Sequence, residues 1–447
     1  MADFTNINNV YVKDSDLWDG IDYIKDKIGY DDIIGVEVDY ENNTFRRLAS
    51  AVGKTAGADF NLYPMYSGMK RCNLADDGTV NAYYGDAGYV EDGSNGQVMV
   101  EIPKFYYRVI PLKLQKNTDY TGAMGNHLLK ARYYISSTPK NGFKVHPLFH
   151  IGNRVINKAY ISAYEGCIYD VSAGAYLQED EQVADFTAGT GDKLSSIAGV
   201  RTASASPQDF TRPNIRTLCH NRGTGWEIQT AQSVCALYLL FIIEYGNCDL
   251  QHSIGDGVVH IQNAEPNTNC ASYTGSTASL GNASGRATST KDWKGVEQTD
   301  ADKTAVSYRG VENLWGNTWS VTDGMNIFGD GTMGGGQPYV CFDGQFNDTV
   351  SGYTPSGFTS AHANGYVKYF GYGNKKTDWL FSPTKTQPSS YTSCPDFFIC
   401  ASNLNSYRMP VFGGYCTYQQ QAGMLWAYTS PVTYKTATYN ARLIYIG

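Results

Sequence analysis

Charged residues are scarce in this sequence, and they are scarcest at its end. They make up 17% of the 447 residues, whereas about a quarter is usual for soluble domains. Residues 391–447 include only four, Asp396, Arg408, Lys435 and Arg442. The formal net charge is −8, and lysine and arginine form no cluster. Because binding to a phosphate backbone requires clustered cations, this composition argues against a nucleic-acid partner.

Long apolar segments are also missing. The longest, Val234–Ile243, is far shorter than the roughly 20 residues that cross a bilayer, so we expect a buried helix there and no membrane insertion. The opening residues, MADFTNINN, lack the basic and apolar parts of a secretory signal. That absence predicts synthesis in the cytoplasm.

Patterns that bind metals are absent as well. The ten cysteines include no CxxC pair, which favours free thiols over a zinc site. His146 and His150 have a helical ligand spacing, but Pro147 interrupts a helix and no third ligand is evident, so we expect structural roles for both. Two stretches rich in glycine and aspartate, 328–336 and 343–348, lack the spacing of a calcium loop, and ordinary turns explain them more simply. The sequence therefore predicts neither a metal nor another cofactor.

Tyrosine and glycine are abundant, at 35 and 47 residues. Near the end of the chain, tyrosines recur among Ser, Thr, Asn and Gln at Tyr407, Tyr415, Tyr418, Tyr428, Tyr434 and Tyr439. This mixture is typical of antibody paratopes, where rigid rings give contact area at low entropy cost and small polar groups adapt their hydrogen bonds. An aromatic core is the alternative, but so many closely spaced hydroxyls are hard to satisfy in an interior. The composition favours a binding surface.

The chain divides into two predicted units. Apolar spacing predicts an amphipathic helix over Asp16–Ile28, and alternation predicts a hairpin from Ile34–Tyr40 and Thr44–Leu48. Residues 75–97 are dominated by turn-forming residues, which places a boundary before a strand-like stretch at Val98–Ile110. We expect a small α+β attachment or oligomerisation unit over 1–96 and a main domain over 97–447. In the main domain, Trp226–Tyr245 is the predicted central helix.

Three stretches, in order, carry a family resemblance. They are GVENLWGNTWSVTDG at 310–324, FGGY at 412–415 and ARLIY at 441–445. In this order they resemble the C-type-lectin-like fold of the formylglycine-generating-enzyme family. Gly316, Asn317, Trp319, Gly413, Gly414 and Arg442 occupy matching places. The resemblance implies a loop-rich α+β, C-type-lectin-like domain in which Trp226, Trp315 and Trp319 pack inside and Arg442 pairs with internal carboxylates or carbonyls.

With its aromatic end, the chain most resembles the variable proteins of diversity-generating retroelements, many of which are phage-tail receptor-binding proteins. That resemblance implies a variable region at about 395–447 and a non-enzymatic protein of the virion. It also implies a homo-oligomer, with a trimer as one candidate, that binds other tail proteins and a host cell-surface protein or glycan. The implied ligand contacts are Asn403, Ser406, Tyr407, Tyr415, Thr417, Tyr418, Trp426, Tyr428 and Tyr434.

An enzymatic alternative stays open from the same resemblance. Formylglycine-type oxidases use a pair of cysteines, and Cys394, Cys400 and Cys416 lie in the corresponding part of the chain. A reactive thiol requires an electropositive neighbourhood that lowers its pKa. Arg408 is the only nearby cation in sequence, so the sequence favours recognition over catalysis.

Overall fold

The described part of the chain is rich in sheet and has long loops, with 13% of its residues helical and 34% in strands. Its computed structural model describes residues 32–177, 183–203, 209–261, 271–329, 336–400, 406–425, 427–436 and 438–447, with the backbone alone for 427–430. These proportions agree with the predicted loop-rich α+β class, while the C-type-lectin-like assignment remains a prediction. The predicted helix over Asp16–Ile28 lies outside the described residues.

The regular elements are mostly short strands. The α-helices are α1 (Pro64–Ser67), α2 (Arg212–His220), α3 (Ala231–Tyr245) and α4 (Leu250–Ile254), and single 3-10 turns cover Ala58–Leu62, Pro147–Phe149, Ala278–Leu280, Ala301–Lys303 and Gln419–Gln421. The strands are β1 (Ile34–Asp39), β2 (Thr44–Ala49), β3 (Lys70–Leu74), β4 (Val80–Tyr83), β5 (Gln97–Pro103), β6 (Tyr106–Lys116), β7 (Asn126–Ser136), β8 (Lys144–Val145), β9 (His150–Ile151), β10 (Arg154–Val155), β11 (Lys158–Ser162), β12 (Cys167–Asp170), β13 (Ala175–Tyr176), β14 (Lys193–Ser195), β15 (Trp226–Ile228), β16 (Gly285–Arg286), β17 (Thr290–Lys291), β18 (Glu297–Gln298), β19 (Val306–Tyr308), β20 (Val311–Glu312), β21 (Trp319–Val321), β22 (Met325–Phe328), β23 (Gln337–Val340), β24 (Thr354–Pro355), β25 (Gly365–Tyr372), β26 (Pro383–Gln387), β27 (Phe397–Phe398), β28 (Tyr407–Phe412), β29 (Ala427–Pro431), β30 (Tyr439–Ala441) and β31 (Leu443–Tyr445).

The predicted N-terminal hairpin is confirmed. β1 pairs antiparallel with β2, with Ile34 opposite Ala49 and Asp39 opposite Thr44. The Asp39 carboxylate accepts a hydrogen bond from the backbone N–H of Asn42, and Asn43 adopts a left-handed φ of 54° in the turn. Asparagine tolerates that conformation better than most residues, which explains the polar turn.

Strands from both sides of the predicted boundary at residue 97 share the two large sheets. In one sheet, β1 pairs with β7, and the strand order is β2-β1-β7-β25-β26. In the other, β3 pairs with β5, and the order is β15-β31-β11-β5-β3-β4. The described residues of the proposed N-terminal unit, 32–96, are therefore built into the same sheets as the rest, and residue 97 does not separate two sheets.

Helix α3 is the buried centre of the molecule, as predicted, but it begins later than the sequence suggested. At its start, the Thr230 side chain accepts a hydrogen bond from the Ser233 N–H at 3.2 Å, and the Ser233 hydroxyl accepts one from the Thr230 N–H. At its end, Gly246 terminates the helix with a φ of 66°. Residues Trp226–Ile228 instead form β15, which pairs with the last strand, β31. The helical prediction for 226–230 is wrong because pairing with a strand some 215 positions away in sequence outweighs the local apolar pattern.

A third sheet contains β28, β29 and β30, the strands that precede the last one. Its order is β24-β23-β22-β28-β21-β30, and β29 pairs with β28. Trp226, Trp315 and Trp319 are buried, which confirms the packing predicted for them. Within the described ranges, no helix has the length and apolarity that a membrane crossing requires.

Candidate ligand-binding surface

The described end of the chain is almost free of surface charge. Three of its four charged residues, Asp396, Arg408 and Arg442, are buried. The fourth, Lys435, is half-exposed and forms an ion pair with Asp209. Burial of the ionic groups leaves neutral polar and aromatic side chains to face solvent, and these groups suit an adaptable protein contact.

Tyr415, Thr417 and Tyr418 lie together in the loop that follows β28, and we call them the loop patch. The Tyr415 and Tyr418 rings meet edge to face with centroids 4.3 Å apart. Both rings contact the buried Trp319, at 6.4 and 5.8 Å. Thr417 is exposed, whereas the two tyrosines are half-buried. The patch therefore combines an exposed threonine with two half-buried phenol rings that pack on an indole of the core.

Backbone contacts fix the shape of this loop. Gly413 and Gly414 have φ values of 98° and 78°, which only glycine adopts without strain. The Gly316 N–H donates to the Gly413 carbonyl at 2.9 Å, and the Cys416 N–H donates to the Asn317 carbonyl at 3.1 Å. These bonds tie the loop to the 310–324 motif, so its backbone conformation does not depend on the exposed side chain at position 417.

A buried polar cluster supports the motif from below. The Glu165 carboxylate accepts hydrogen bonds from Asn313 at 3.0 Å, from Thr318 at 2.5 Å and from Asn317. Arg442 donates to the Asn313 carbonyl at 2.7 Å and to the Glu312 carbonyl, which confirms the predicted internal pairing of this arginine. Burial raises the pKa of Glu165 and lowers that of Arg442. Such groups are costly to bury, and their hydrogen bonds make the cluster a rigid support.

The other predicted contacts are spread along the third sheet. Ser406 and Tyr407 lie at the start of β28, about 20 Å from the loop patch by strand geometry. The centres of the Tyr407 and Phe328 rings lie 5.1 Å apart, and Phe328 is 37% exposed. We call these two residues the strand-start patch. Tyr434 is 47% exposed, and its ring lies 5.7 Å from that of Tyr439.

Three predicted contacts are described only in part or not at all. Asn403 and Trp426 lie outside the described residues, and Tyr428 is described by its backbone, which pairs with Val411. Sequence reasoning missed Phe328, because nothing in its local pattern distinguishes an exposed strand-end phenylalanine from a buried one. It also missed Tyr391, which is 81% exposed.

A buried carboxylate anchors the segment between the loop patch and β29. Asp396 accepts a hydrogen bond from the Leu425 N–H at 2.7 Å. Burial raises the pKa of Asp396 to about 7, and nearby Asp249 adds to the effect. A Cβ at Gly423 would lie 1.9 Å from an oxygen of Asp396, so only glycine fits there.

The histidine pair does not form a site. His146 is buried, where its Nδ1 accepts from the Leu148 N–H at 3.2 Å and its ring packs against Phe105, whereas His150 is exposed. Burial lowers the pKa of His146 to about 3, so it is neutral in the fold. Within the described residues, no group of three or more metal-ligating side chains comes together.

The cysteines named for the enzymatic alternative are all buried. Cys394 shares a hydrogen bond with the Tyr238 hydroxyl at 3.1 Å, and Cys400 lies near Asn364. Cys416 packs in a separate apolar cluster with Val258 and Ile261. Burial raises the pKa of the Cys394 thiol well above its usual range and that of Cys400 to about 11. These shifts are opposite to the lowered pKa of a reactive thiol.

Comparison with known proteins gives little further information. No protein-family profile matches the chain, and no curated protein sequence matches it. Among solved structures, the chain is similar to the Major Tropism Determinant P3c variant, with 12% sequence identity and a TM-score of 0.26. The alignment covers 84% of this chain and 71% of that one. A TM-score of this size does not establish a shared fold.

Proposed function

We propose that the chain is a non-enzymatic receptor-binding protein whose described contacts include the loop patch and the strand-start patch. The observation that carries the proposal is the distribution of groups at the end of the chain. Its carboxylate and both its arginines are buried, and its one exposed lysine is paired. Tyrosine and threonine remain at the surface. That is the composition of a binding surface and not of an ordinary charged exterior.

Support for pre-organised binding comes from the aromatic contacts of four predicted ligand-binding tyrosines. The rings of Tyr415 and Tyr418 contact Trp319. The Tyr407 ring contacts Phe328, and the Tyr434 ring contacts Tyr439. A ring already packed on one side loses little further freedom when a ligand covers the other side. Each tyrosine can therefore contribute contact area at a small entropy cost.

The proposal includes a place for the protein in a phage tail. By the family resemblance, the variable region covers about residues 395–447, the domain is C-type-lectin-like, and the ligand is a host surface protein or glycan. A homo-oligomer would hold several weak sites together and so gain avidity. The weak structural neighbour is named a tropism determinant, but a likeness at that TM-score adds no weight.

A charged substitution in the loop patch tests the proposal. Fluorescently labelled protein is measured on a panel of bacterial cells by flow cytometry, and a strain that binds the wild type is then tested with Thr417→Arg. Because Thr417 is exposed, the change should leave folding intact and reduce cell binding at least tenfold. The matched control is Leu62→Arg, at a position that is 70% exposed and outside the C-terminal segment. Equal binding by Thr417→Arg and Leu62→Arg would contradict a contact at the loop patch.

A further inference from the structure

An open cavity of about 710 Å³ lies beside the loop patch. One wall is the hairpin of β17 and β18, and the other is the turn around Asp300–Lys303 together with His260 and Ile261. Of the residues that the structure describes at the end of the chain and in the buried polar cluster, none contributes a side chain to it. We call this cavity the hairpin pocket.

The hairpin holds a tryptophan at its tip. The Asp292 carboxylate accepts hydrogen bonds of 2.9 Å from the backbone N–H groups of Lys294 and Val296 and from the Gln298 side chain. These bonds close the turn and fix the direction in which Trp293 leaves it. Trp293 is only partly buried, and the neighbouring Val296 is exposed. The part of this indole that remains accessible is apolar area, which a ligand can cover.

The opposite wall is polar, but its charges are mutually satisfied. His260 Nδ1 and an Asp302 oxygen lie 2.7 Å apart, and Lys303 forms an ion pair with Asp300 at 2.6 Å. On the hairpin itself, the Lys294 ammonium lies over the Trp293 ring, 4.6 Å from its centre. The side chain of Asp300 is nevertheless 64% exposed, and that of Asp302 is 36% exposed. Both carboxylates can therefore accept further hydrogen bonds from a ligand.

This combination selects a ligand class. Among the described residues, three aspartates line the pocket against two lysines, so an anion would meet a net negative wall. A cation would have to compete with Lys303, which is paired with Asp300, and with Lys294, which lies over the Trp293 ring. A neutral molecule with many hydroxyl groups meets neither obstacle, because hydroxyls donate to carboxylates and accept from ammonium and amide groups. Its C–H face can pack on the indole.

From these observations we infer that the hairpin pocket binds a neutral saccharide unit, with Trp293 as the stacking platform and Asp300, Asp302 and Gln298 as hydrogen-bonding partners. The site does not require the proposed function of the loop patch.

The pocket is also physically joined to the loop patch. The Ile261 N–H donates to the Cys416 carbonyl at 2.7 Å, and the Gln419 N–H donates to the Val259 carbonyl at 3.0 Å. On the other side of the same segment, the Val259 and His260 N–H groups both donate to the Asp302 carbonyl. One backbone segment thus lies between the two sites, and a surface glycoprotein could contact both with its protein and sugar parts.

Saturation-transfer NMR on the full-length protein tests the assignment. The probes are glucose, galactose, mannose and N-acetylglucosamine at millimolar concentration. We expect ring-proton signals from at least one sugar, their loss in Trp293→Ala and their partial retention in Trp293→Phe. Tyr391→Ala removes a more exposed ring outside the pocket and should leave the signals unchanged.

Several outcomes would overturn the assignment. These are an absence of signal from every neutral sugar with the wild type, signals that survive in Trp293→Ala, or a stronger response to glucuronate or glucosamine than to the neutral parents. Circular dichroism of each variant establishes that it is folded. Cell binding by Trp293→Ala, compared with that by Thr417→Arg, separates failure of this inference from failure of the proposed function.

Discussion

The carboxylate of Asp396 accepts a 2.7 Å hydrogen bond from the backbone N–H of Leu425, inside the protein and directly before β29. Gly423 passes so close to this carboxylate that no side chain fits at that position. The contact joins the start of the proposed variable region to its middle. A titratable group therefore holds the backbone between the loop patch and β29.

We expect Asp396 to make stability depend on pH. Its pKa is about 7 in the fold against an ordinary value of 3.8, so the folded state binds more protons than the unfolded state between these values. Stability contributed by this group is present below about pH 4, decreases as pH rises to about 7, and stays low above it. At about 1.4 kcal/mol per pKa unit, the upper limit of the effect is on the order of 4 kcal/mol.

The substitution Asp396→Asn isolates this effect. The amide oxygen can still accept from Leu425, but it carries no charge at any pH, so the variant should be more stable than the wild type at pH 8 and equal to it at pH 4. Urea unfolding at several pH values measures the difference. Parallel pH profiles for the two proteins would show that Asp396 ionises normally in the fold.

The exposed loop patch and the buried residues that support it should respond differently to substitution. Replacing Thr417 by Ser, Asn or Asp should change the free energy of unfolding by only about 0.5 kcal/mol, because the side chain is exposed. Asn317→Ala removes two hydrogen bonds, one accepted from the Ser272 N–H and one donated to Glu165. Residue 317 also has a left-handed φ of 57°. We expect the substitution to cost about 2–4 kcal/mol. A larger cost at Thr417 than at Asn317, measured by urea unfolding, would reject the division into a tolerant surface and a rigid support.

Sequence patterns predicted those features of the fold that depend on neighbours in the chain. The β1–β2 hairpin and the buried part of α3 follow from alternation and from a continuous apolar run. The start of α3 at Ala231 did not, because pairing between β15 and β31 decides it. The pairing of strands from residues 32–96 with β5 and β7 also depends on residues distant in sequence, so no local pattern predicts it.

The geometry of the candidate site depends on contacts that the sequence does not report. Composition directed attention to the end of the chain, but it did not reveal that Asp396, Arg408 and Arg442 are buried. It also did not place Phe328 under Tyr407, since that contact depends on the pairing of β22 with β28. Trp293 went unnoticed because a single tryptophan in a polar turn has no motif.

A buried ion pair should be essential for the attachment of α3. Arg309 donates to both oxygens of Glu244 at 2.6 Å, and Glu244 also accepts from the Gly57 N–H at 3.0 Å. Arg309→Met would leave the carboxylate buried without its cation, which typically costs 3–5 kcal/mol. Adding Glu244→Gln should recover part of that loss.

The exposed pair of Lys435 and Asp209 provides the matched control for this ion pair. Both side chains are 48% exposed, so Lys435→Met should change the free energy of unfolding by less than about 1 kcal/mol. A double-mutant cycle read by urea unfolding measures the coupling at Glu244 and Arg309. If the coupling energy between Glu244 and Arg309 is no larger than the change in unfolding free energy caused by Lys435→Met, the buried ion pair stabilises the fold no more than an exposed one.

The described thiols should be unreactive in the native protein. All nine are free and buried, and burial raises the pKa of Cys72, Cys167 and Cys235 to about 12. At pH 8 such thiols are protonated and shielded. A Cys270→Ser variant, in which only these nine remain, should react with Ellman's reagent slowly until denaturant is added. Rapid reaction of Cys394 or Cys416 would instead favour the oxidase alternative.

Truncation should separate folding from any assembly role of the N-terminal region. Deleting residues 1–96 removes β1, which lies between β2 and β7, and also the buried Phe60, Met65 and Tyr66. We expect that variant to be unfolded, because the lost strand exposes a sheet edge and the lost side chains leave a large gap in the core. Deleting residues 1–31 cuts no described strand, so this shorter variant should keep the wild-type melting temperature. Light scattering on it then tests whether those residues carry oligomerisation, with a lower mass expected if they do. A cooperative melt by the protein lacking residues 1–96 would mean that the shared sheets are not required for folding, and it would support a domain boundary at residue 97.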